Sequence, residues 1–235
     1  MSAAEENARW LKRRYQAFLF EAEPRSILDV GCGAGDLLRE AARRDVSATG
    51  LDAAGPRLDA CRADGLTVTE GSAYDLPFDD ESFDWVAMRH VPHHLEDPAR
   101  AFAEALRVAR SGFLVAEPWF DTTLASQRAA IHLDVWEKTQ HRRRGMYHSE
   151  VHELDALLAF ANASDAWTVE VERHLWLHDR SIPEFEREAR ELLNELPEDA
   201  EQASELDRLL DRLRADALTW NGSLCLRWRR RAISR

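Results

Sequence analysis

The chain has 235 residues, 45% hydrophobic and 31% charged, with a formal net charge of -12 at neutral pH. That length allows one or two domains with a substantial core; no apolar run reaches the roughly 18 residues of a membrane span, and the acidic balance opposes sequence-independent nucleic-acid binding, which rests on Lys and Arg neutralising phosphates. Cys32, Cys61 and Cys225 are too scattered for a disulfide framework or a zinc site, so no metal is expected, and the acidic start M-S-A-A-E-E-N is unlike a signal peptide, which leaves the cytoplasm as the expected location.

Residues 5–20 are predicted as a charged helix with Trp10, Leu11, Tyr15, Phe18 and Leu19 at helical spacing. A strand (26–30), a helix (36–44), a strand (47–52), a helix (55–64), two strands (66–69 and 83–88), a helix (97–109) and a strand (113–117) follow. Strands alternating with helical stretches of about ten residues predict an α/β protein with a doubly wound, mostly parallel sheet. The segment F-D-W-V-A-M is mostly apolar, as a strand covered on both faces should be.

Beyond Pro118 the pattern changes. Residues 121–144 read as a helix ended by Gly145, and a second helix runs from Ser149 to about Ala161. Trp167–Leu177 alternates as a sixth strand, residues 181–218 read as two charged helices broken at Pro197, and Ser223–Trp228 is the last strand. One domain is expected over residues 1–235, with a seven-stranded sheet, a substrate-side helical cap at 119–148 and a helical insertion at 181–218.

The segment with the most chemical content is I-L-D-V-G-C-G-A-G-D-L-L, residues 27–38. An apolar strand runs into a turn with glycines at 31, 33 and 35, then into a helix. Glycine lets the backbone turn sharply and approach a ligand, and a helix N-terminus offers free N–H groups. About 20 residues on, A-T-G-L-D ends at Asp52, where nucleotide-binding folds place a carboxylate for ribose hydroxyls. The spacing is G-x-G-x-G, shorter than the dinucleotide G-x-G-x-x-G.

The D-V-G-C-G-A-G string resembles motif I of class I S-adenosylmethionine (SAM) methyltransferases. Glu70–Asp84 resembles the adenine-side motif, Arg89–Pro98 the segment after the fourth strand, and Gly112–Pro118 the fifth strand, so the resemblance spans about residues 25–118. The chain is most similar to the small-molecule branch of that superfamily, alongside ubiquinone-pathway C-methyltransferases. The resemblance implies SAM as cofactor, S-adenosylhomocysteine as product and a small-molecule acceptor. It implies cofactor-binding roles for Asp29, Gly31, Cys32, Gly33, Gly35, Asp52, Ala53, Ser72, Ala73, Tyr74 and Arg89. The glycines would line the methionine part, Asp52 the ribose, Ser72 to Tyr74 the adenine, and the Arg89 backbone the amino-acid portion.

Two departures stand out. Relatives commonly carry an aspartate where Ser72 stands; a serine hydroxyl can also accept from an adenine amino group, more weakly by about 1 kcal/mol, and Asp75 is a candidate to compensate. Ala109-Arg110-Ser111-Gly112 replaces a common Pro-Gly-Gly turn.

Every candidate motif falls at the carboxyl end of a strand, where open α/β sheets bind ligands. His90, His93 and His94 fall where an acceptor would approach, and a base of near-neutral pKa helps transfer to a protonated nucleophile. His90 is the candidate general base and His94 a weaker one, whereas His93, Glu117, Trp119 and Tyr147 are candidate substrate contacts. Residues 119–148 offer the aromatic surface a small organic acceptor needs, although aromatics at helical spacing, Trp136 among them, are more often core. A nicotinamide oxidoreductase is disfavoured by the glycine spacing and the missing Tyr-x-x-x-Lys pair. An RNA-modifying methyltransferase and a non-catalytic SAM-binding regulator are the alternatives, the first opposed by the charge and by the missing Asn-Pro-Pro-Tyr motif.

Overall fold

In the computed structural model, which describes residues 2–161, 165–196 and 199–231, the predicted strands β1 (Ser26–Val30), β2 (Ser47–Asp52), β3 (Val68–Glu70), β4 (Phe83–Arg89), β5 (Ala109–Trp119), β6 (Trp167–His174) and β7 (Gly222–Arg230) share one sheet. Its order is β3-β2-β1-β4-β5-β7-β6, and β1 to β5 pair in parallel. The chain winds outward from β1 to β3, then crosses back to β4 on the other side of β1. That reversal is the topological switch point, beside which such sheets hold their ligands.

The central strands follow from their apolar runs. Ile27, Leu28 and Val30 of β1 and Trp85 to Met88 of β4 are all buried, as strands covered on both faces must be. Helix α1 (Ala3–Phe20) contributes Tyr15, Phe18 and Leu19 to a cluster with Ile27, Trp85 and Leu114. Helices α2 (Asp36–Ala42) and α3 (Pro56–Ala63) follow β1 and β2. Helix α4 (Pro98–Val108) starts where the Asp97 carboxylate accepts from the Arg100 N–H at 3.1 Å, with Pro98 in the first turn. It buries Ala101, Phe102, Ala105 and Val108 on one face, and the Phe102 ring packs edge-on to Phe113.

β5 starts four residues earlier than predicted. Phe83 pairs with Ala109 but Trp85 with Gly112, so β5 carries an extra residue and a bulge. The Trp85 ring explains the glycine, because a Cβ at Gly112 would lie 2.3 Å from Trp85 Cη2. Gly112→Ala is therefore expected to destabilise the protein by about 1–3 kcal/mol through overpacking. A thermal melt unchanged from wild type would contradict this.

The described residues fall into two compact units. Residues 14–117, 152–172 and 224–231 form the first, which holds most of the sheet and helix α6 (Leu154–Ala161). Residues 2–13, 118–151 and 173–223 form the second, built on α5 (Ala125–Arg143), α7 (Ile182–Asn194) and α8 (Ala200–Asp216). Its core joins Phe120, Leu133, Trp136, Phe185, Leu206 and Leu210. Trp136 is thus helix packing, edge-on to Phe185 at 5.9 Å. α6 starts at Leu154 rather than Ser149, and β6 stops at His174 rather than Leu177. Pro197, the expected break between the last two helices, lies outside the described residues; Asp199 caps α8 by accepting from the Glu201 and Gln202 amides. No described helix is long and apolar enough to cross a membrane.

Candidate active site

The three glycines of the turn after β1 all have positive φ, 73° at Gly31, 52° at Gly33 and 76° at Gly35, a region side chains with a Cβ rarely adopt. The turn is laid over the end of β2: the Gly31 and Cys32 amides donate to Leu51 O at 2.7 and 3.2 Å, and Gly35 N–H donates to Cys32 O at 2.9 Å. Packing fixes the outer two glycines. A Cβ at Gly31 would lie 2.4 Å from Val91 Cγ2, and one at Gly35 would lie 2.6 Å from Leu66 Cδ1. A Cβ at Gly33 would meet nothing within 4 Å. The middle glycine therefore borders open space, the cradle that a closely approaching ligand needs.

Asp52, at the end of β2, is held against that turn. Gly33 N–H donates to its Oδ2 at 2.7 Å and Ala53 N–H to its Oδ1 at 2.8 Å. Each oxygen keeps a second acceptor position, so the carboxylate is aimed but not saturated. The residues present thus fit a ligand with a sugar diol and a flexible tail laid over the turn. The Cys32 thiol is pushed up to about 12, by burial first and then by Asp29 and Asp52, so it stays protonated and is no nucleophile.

Asp29 is buried within β1, and its carboxyl is raised to about 7, chiefly by burial, then by the neighbouring charge of Asp52, with Arg89 opposing. The Tyr15 hydroxyl is pushed well above its usual range by burial and by Asp29. The folded-state pKa of Asp29 lies above its ordinary value of 3.8, so the folded protein holds an extra proton between about pH 4 and pH 7. Its contribution is present below that window and is lost as pH rises through it, at up to about 1.4 kcal/mol per pH unit. Asp29→Asn is expected to remove that decline and be most stabilising, relative to wild type, above pH 7. Urea midpoints measured across the range check it, and parallel curves for the two proteins would refute it.

On the predicted adenine side, Ser72 is exposed and its hydroxyl accepts from the Tyr74 N–H at 3.2 Å. The backbones of Ser72 and Asp75 form an isolated bridge, Asp75 N–H donating to Ser72 O at 3.2 Å. Ala73 is half-buried between them. The Tyr74 hydroxyl accepts from the Glu96 and Asp97 amides at 2.7 and 3.3 Å, with the Arg100 guanidinium 5.7 Å from the ring centre. Tyr74 thereby ties its loop to the start of α4.

The histidines gather at the ends of β4 and β5. Arg89 ends β4, and His90 follows with a φ of 57° while its N–H donates to Ala116 O at 2.8 Å. A left-handed non-glycine residue stores strain of about 1–3 kcal/mol and is a recurrent feature of functional sites. Pro92–His94 forms a 3-10 turn. There His93 Nδ1 lies 2.8 Å from Glu117 Oε2, and both side chains are buried. The His93 ring centre is 4.3 Å from that of exposed His94 and 6.1 Å from that of His90. His90, His93, His94 and Glu117 thus come together, and the sequence gives no direct sign of the His93–Glu117 pair. Strand register is the one signal that could have found it: Arg89 pairs with Ala116, which sets Glu117 beside the turn that follows β4.

The other two substrate candidates belong to the helical unit. Trp119 is half-buried with the Arg173 guanidinium 5.8 Å from its ring centre, and Tyr147 is 45% exposed. In the same unit Arg142 donates to His148 O and Thr139 Oγ1, Arg143 to Gln140 Oε1, and Arg144 to Glu195. The first unit likewise uses Arg227 on Phe18 O and Glu170, and Arg230 on Glu81. Both arginine clusters are engaged by the chain's own acceptors.

Comparison with known proteins matches residues 28–116 to a methyltransferase domain family. The ajmaline N-methyltransferase of Rauvolfia serpentina is 34% identical over 39% of this chain and 35% of its own length. The demethylmenaquinone methyltransferase of Roseiflexus castenholzii is 40% identical over 38% of this chain and 40% of its own. A probable tRNA methyltransferase 9B of Mus musculus is 34% identical over 45% of this chain and 24% of its own. The chain therefore spans well under half the length of these curated relatives. Among solved structures, a putative methyltransferase from Bacillus halodurans superposes with a TM-score of 0.63, over 92% of this chain and 99% of that one, at 18% identity. Residues 28–116 are thus similar to a methyltransferase domain family, and the strand order, the glycine turn and Asp52 accord with that likeness.

Proposed function

We propose that the chain transfers a methyl group from SAM to a small-molecule acceptor. The observation that carries this reading is the cradle at Gly33, open beyond a Cβ and bordered by a carboxylate pinned to the Gly33 and Ala53 amides. The turn at Gly31, Gly33 and Gly35 would hold the methionine part, Asp52 the ribose, Ser72 to Tyr74 the adenine edge, and the Arg89 backbone the amino-acid end. The cofactor supplies a methyl carbon on a sulfonium sulfur, a group already activated for attack. What the protein adds is chiefly orientation, a contribution that can approach ~7–11 kcal/mol. Titration calorimetry should find SAM and S-adenosylhomocysteine binding and NAD not binding. Asp52→Ala should weaken SAM by roughly 1.5–3 kcal/mol, the range for hydrogen bonds to a charged group. Unchanged affinity would remove Asp52 from the site.

A small acceptor is supported by the names of the ajmaline and demethylmenaquinone relatives and by the engagement of the arginine clusters within the fold. Acceptor choice is assigned to residues 119–148, the segment that carries Trp119 and Tyr147. Replacing Trp119 and Tyr147 together by alanine should leave SAM affinity intact and remove turnover of the native acceptor. An RNA substrate is the second reading, favoured by the tRNA methyltransferase relative. Salt-sensitive tRNA binding lost on neutralising Arg142 to Arg144 would establish it over the first.

A further inference from the structure

We propose that Tyr15 positions the cofactor, its hydroxyl donating to the carboxylate at the amino-acid end of bound SAM. The inference rests on the SAM reading above and goes beyond it to a residue of α1, outside every motif of the sequence. Tyr15 is 2% exposed, and among the described residues its hydroxyl has no hydrogen-bond partner. A buried hydroxyl without a partner forfeits its hydration for nothing, so a phenylalanine would serve the core better. The hydroxyl therefore calls for an acceptor that arrives from outside the chain.

Strand register places that hydroxyl. Asp29 pairs with Ala87, Ala87 with Leu114 and Arg89 with Ala116. Residues two apart on a strand share a face. Asp29 of β1, Trp85, Ala87 and Arg89 of β4, and Leu114 and Ala116 of β5 therefore lie on one face of the sheet. Tyr15 packs in the cluster that this face forms with α1, which includes Trp85, Ala87, Leu114 and Ala116. Toward the carboxyl ends the face narrows to the two alanines, which leaves room for a phenol beside Asp29 and Arg89. Both charges act on the hydroxyl: after burial, Asp29 pushes its pKa up further and Arg89 opposes.

Arg89 is the residue whose backbone the SAM reading sets beside the amino-acid end, and Asp29 lies two residues before Gly31. That end of the cofactor carries an ammonium and a carboxylate together. Tyr15 keeps its proton far beyond neutral pH, so it meets the ligand as a donor, and a carboxylate only accepts. A hydrogen bond to an ionised acceptor is about twice as strong as one between neutral groups. Here the hydroxyl gives up no partner within the fold to make it. Asp29 suits the ammonium and Tyr15 the carboxylate, so the two side chains would read opposite charges of one zwitterion.

Tyr15→Phe keeps the ring and deletes only the hydroxyl. Titration calorimetry compares the variant with the wild type, using SAM and decarboxylated SAM, which keeps the ammonium and lacks the carboxylate. SAM should bind the variant about 10-fold or more weakly, the loss of a hydrogen bond to a charged group. Decarboxylated SAM should bind both proteins alike. Unchanged SAM affinity overturns the proposal, and so does a loss for decarboxylated SAM as large as that for SAM. Thermal melts without ligand give an independent readout: the variant should melt no lower than the wild type, because no bond within the fold is removed. A clearly lower melting temperature would show that the hydroxyl already has an acceptor in the protein, and also overturns the proposal. Wild-type protein that binds neither ligand refutes the SAM reading itself, whereas SAM binding indifferent to Tyr15→Phe refutes only the role of Tyr15.

Discussion

Gly33→Val is expected to abolish binding of SAM and S-adenosylhomocysteine in a protein that still folds. The position separates ligand from fold in a way its neighbours do not. Gly31 and Gly35 are enclosed, so a Cβ there strikes Val91 or Leu66 and loss of binding would mean little. At Gly33 nothing of the protein stands within 4 Å of the added carbon. The cost to folding is then the left-handed φ of 52°, about 1–2 kcal/mol for a residue with a Cβ and somewhat more for a β-branched one. Domains are commonly stable by about 5–15 kcal/mol, so most molecules should remain folded. The isopropyl group would fill the cradle and hold off any ligand lying against the backbone. Circular dichroism and a thermal melt check the fold, and calorimetry checks the ligand. Normal SAM affinity in the folded variant would show that the open space is not the cofactor's.

The sheet was legible because its strands carry their own signals. I-L-D-V and F-D-W-V-A-M are apolar on both faces, and β1 and β2 fall at their predicted bounds. The start of β5 was not. A-R-S-G reads as a turn, and only pairing of Ala109 with Phe83, with the Trp85 ring filling the space beside Gly112, makes it a strand. The glycine turn was legible from its fixed spacing, whereas its division into two enclosed glycines and one open one depends on Val91 and Leu66, distant in sequence. Tyr74 shows the same limit. Its loop was readable, but the two amides that its hydroxyl receives lie 22 and 23 residues on. The change of pattern after Pro118 announced the helical additions; that α5, α7 and α8 share a core of their own needed the three-dimensional packing.

His93→Asn tests whether the His93–Glu117 pair serves the transfer as its general base: if it does, kcat should fall by about 100-fold or more while SAM affinity stays unchanged. Asparagine retains an amide that can donate to Glu117 and so protects the buried carboxylate from losing a hydrogen bond. It has no basic nitrogen, and so deletes proton removal while sparing the fold, as loss of a general base should. A group that acts on rate alone lowers kcat and kcat/KM together, whereas one that only binds acceptor raises KM. His90→Gly is the comparison. Glycine relaxes the positive φ at residue 90 and should raise stability by up to about 1 kcal/mol, with a smaller loss of kcat than His93→Asn. Transfer of labelled methyl to the native acceptor orders the two variants. A larger loss at His90 would return the base to the end of β4, and small losses at both would identify the acceptor as a nucleophile that arrives without its proton.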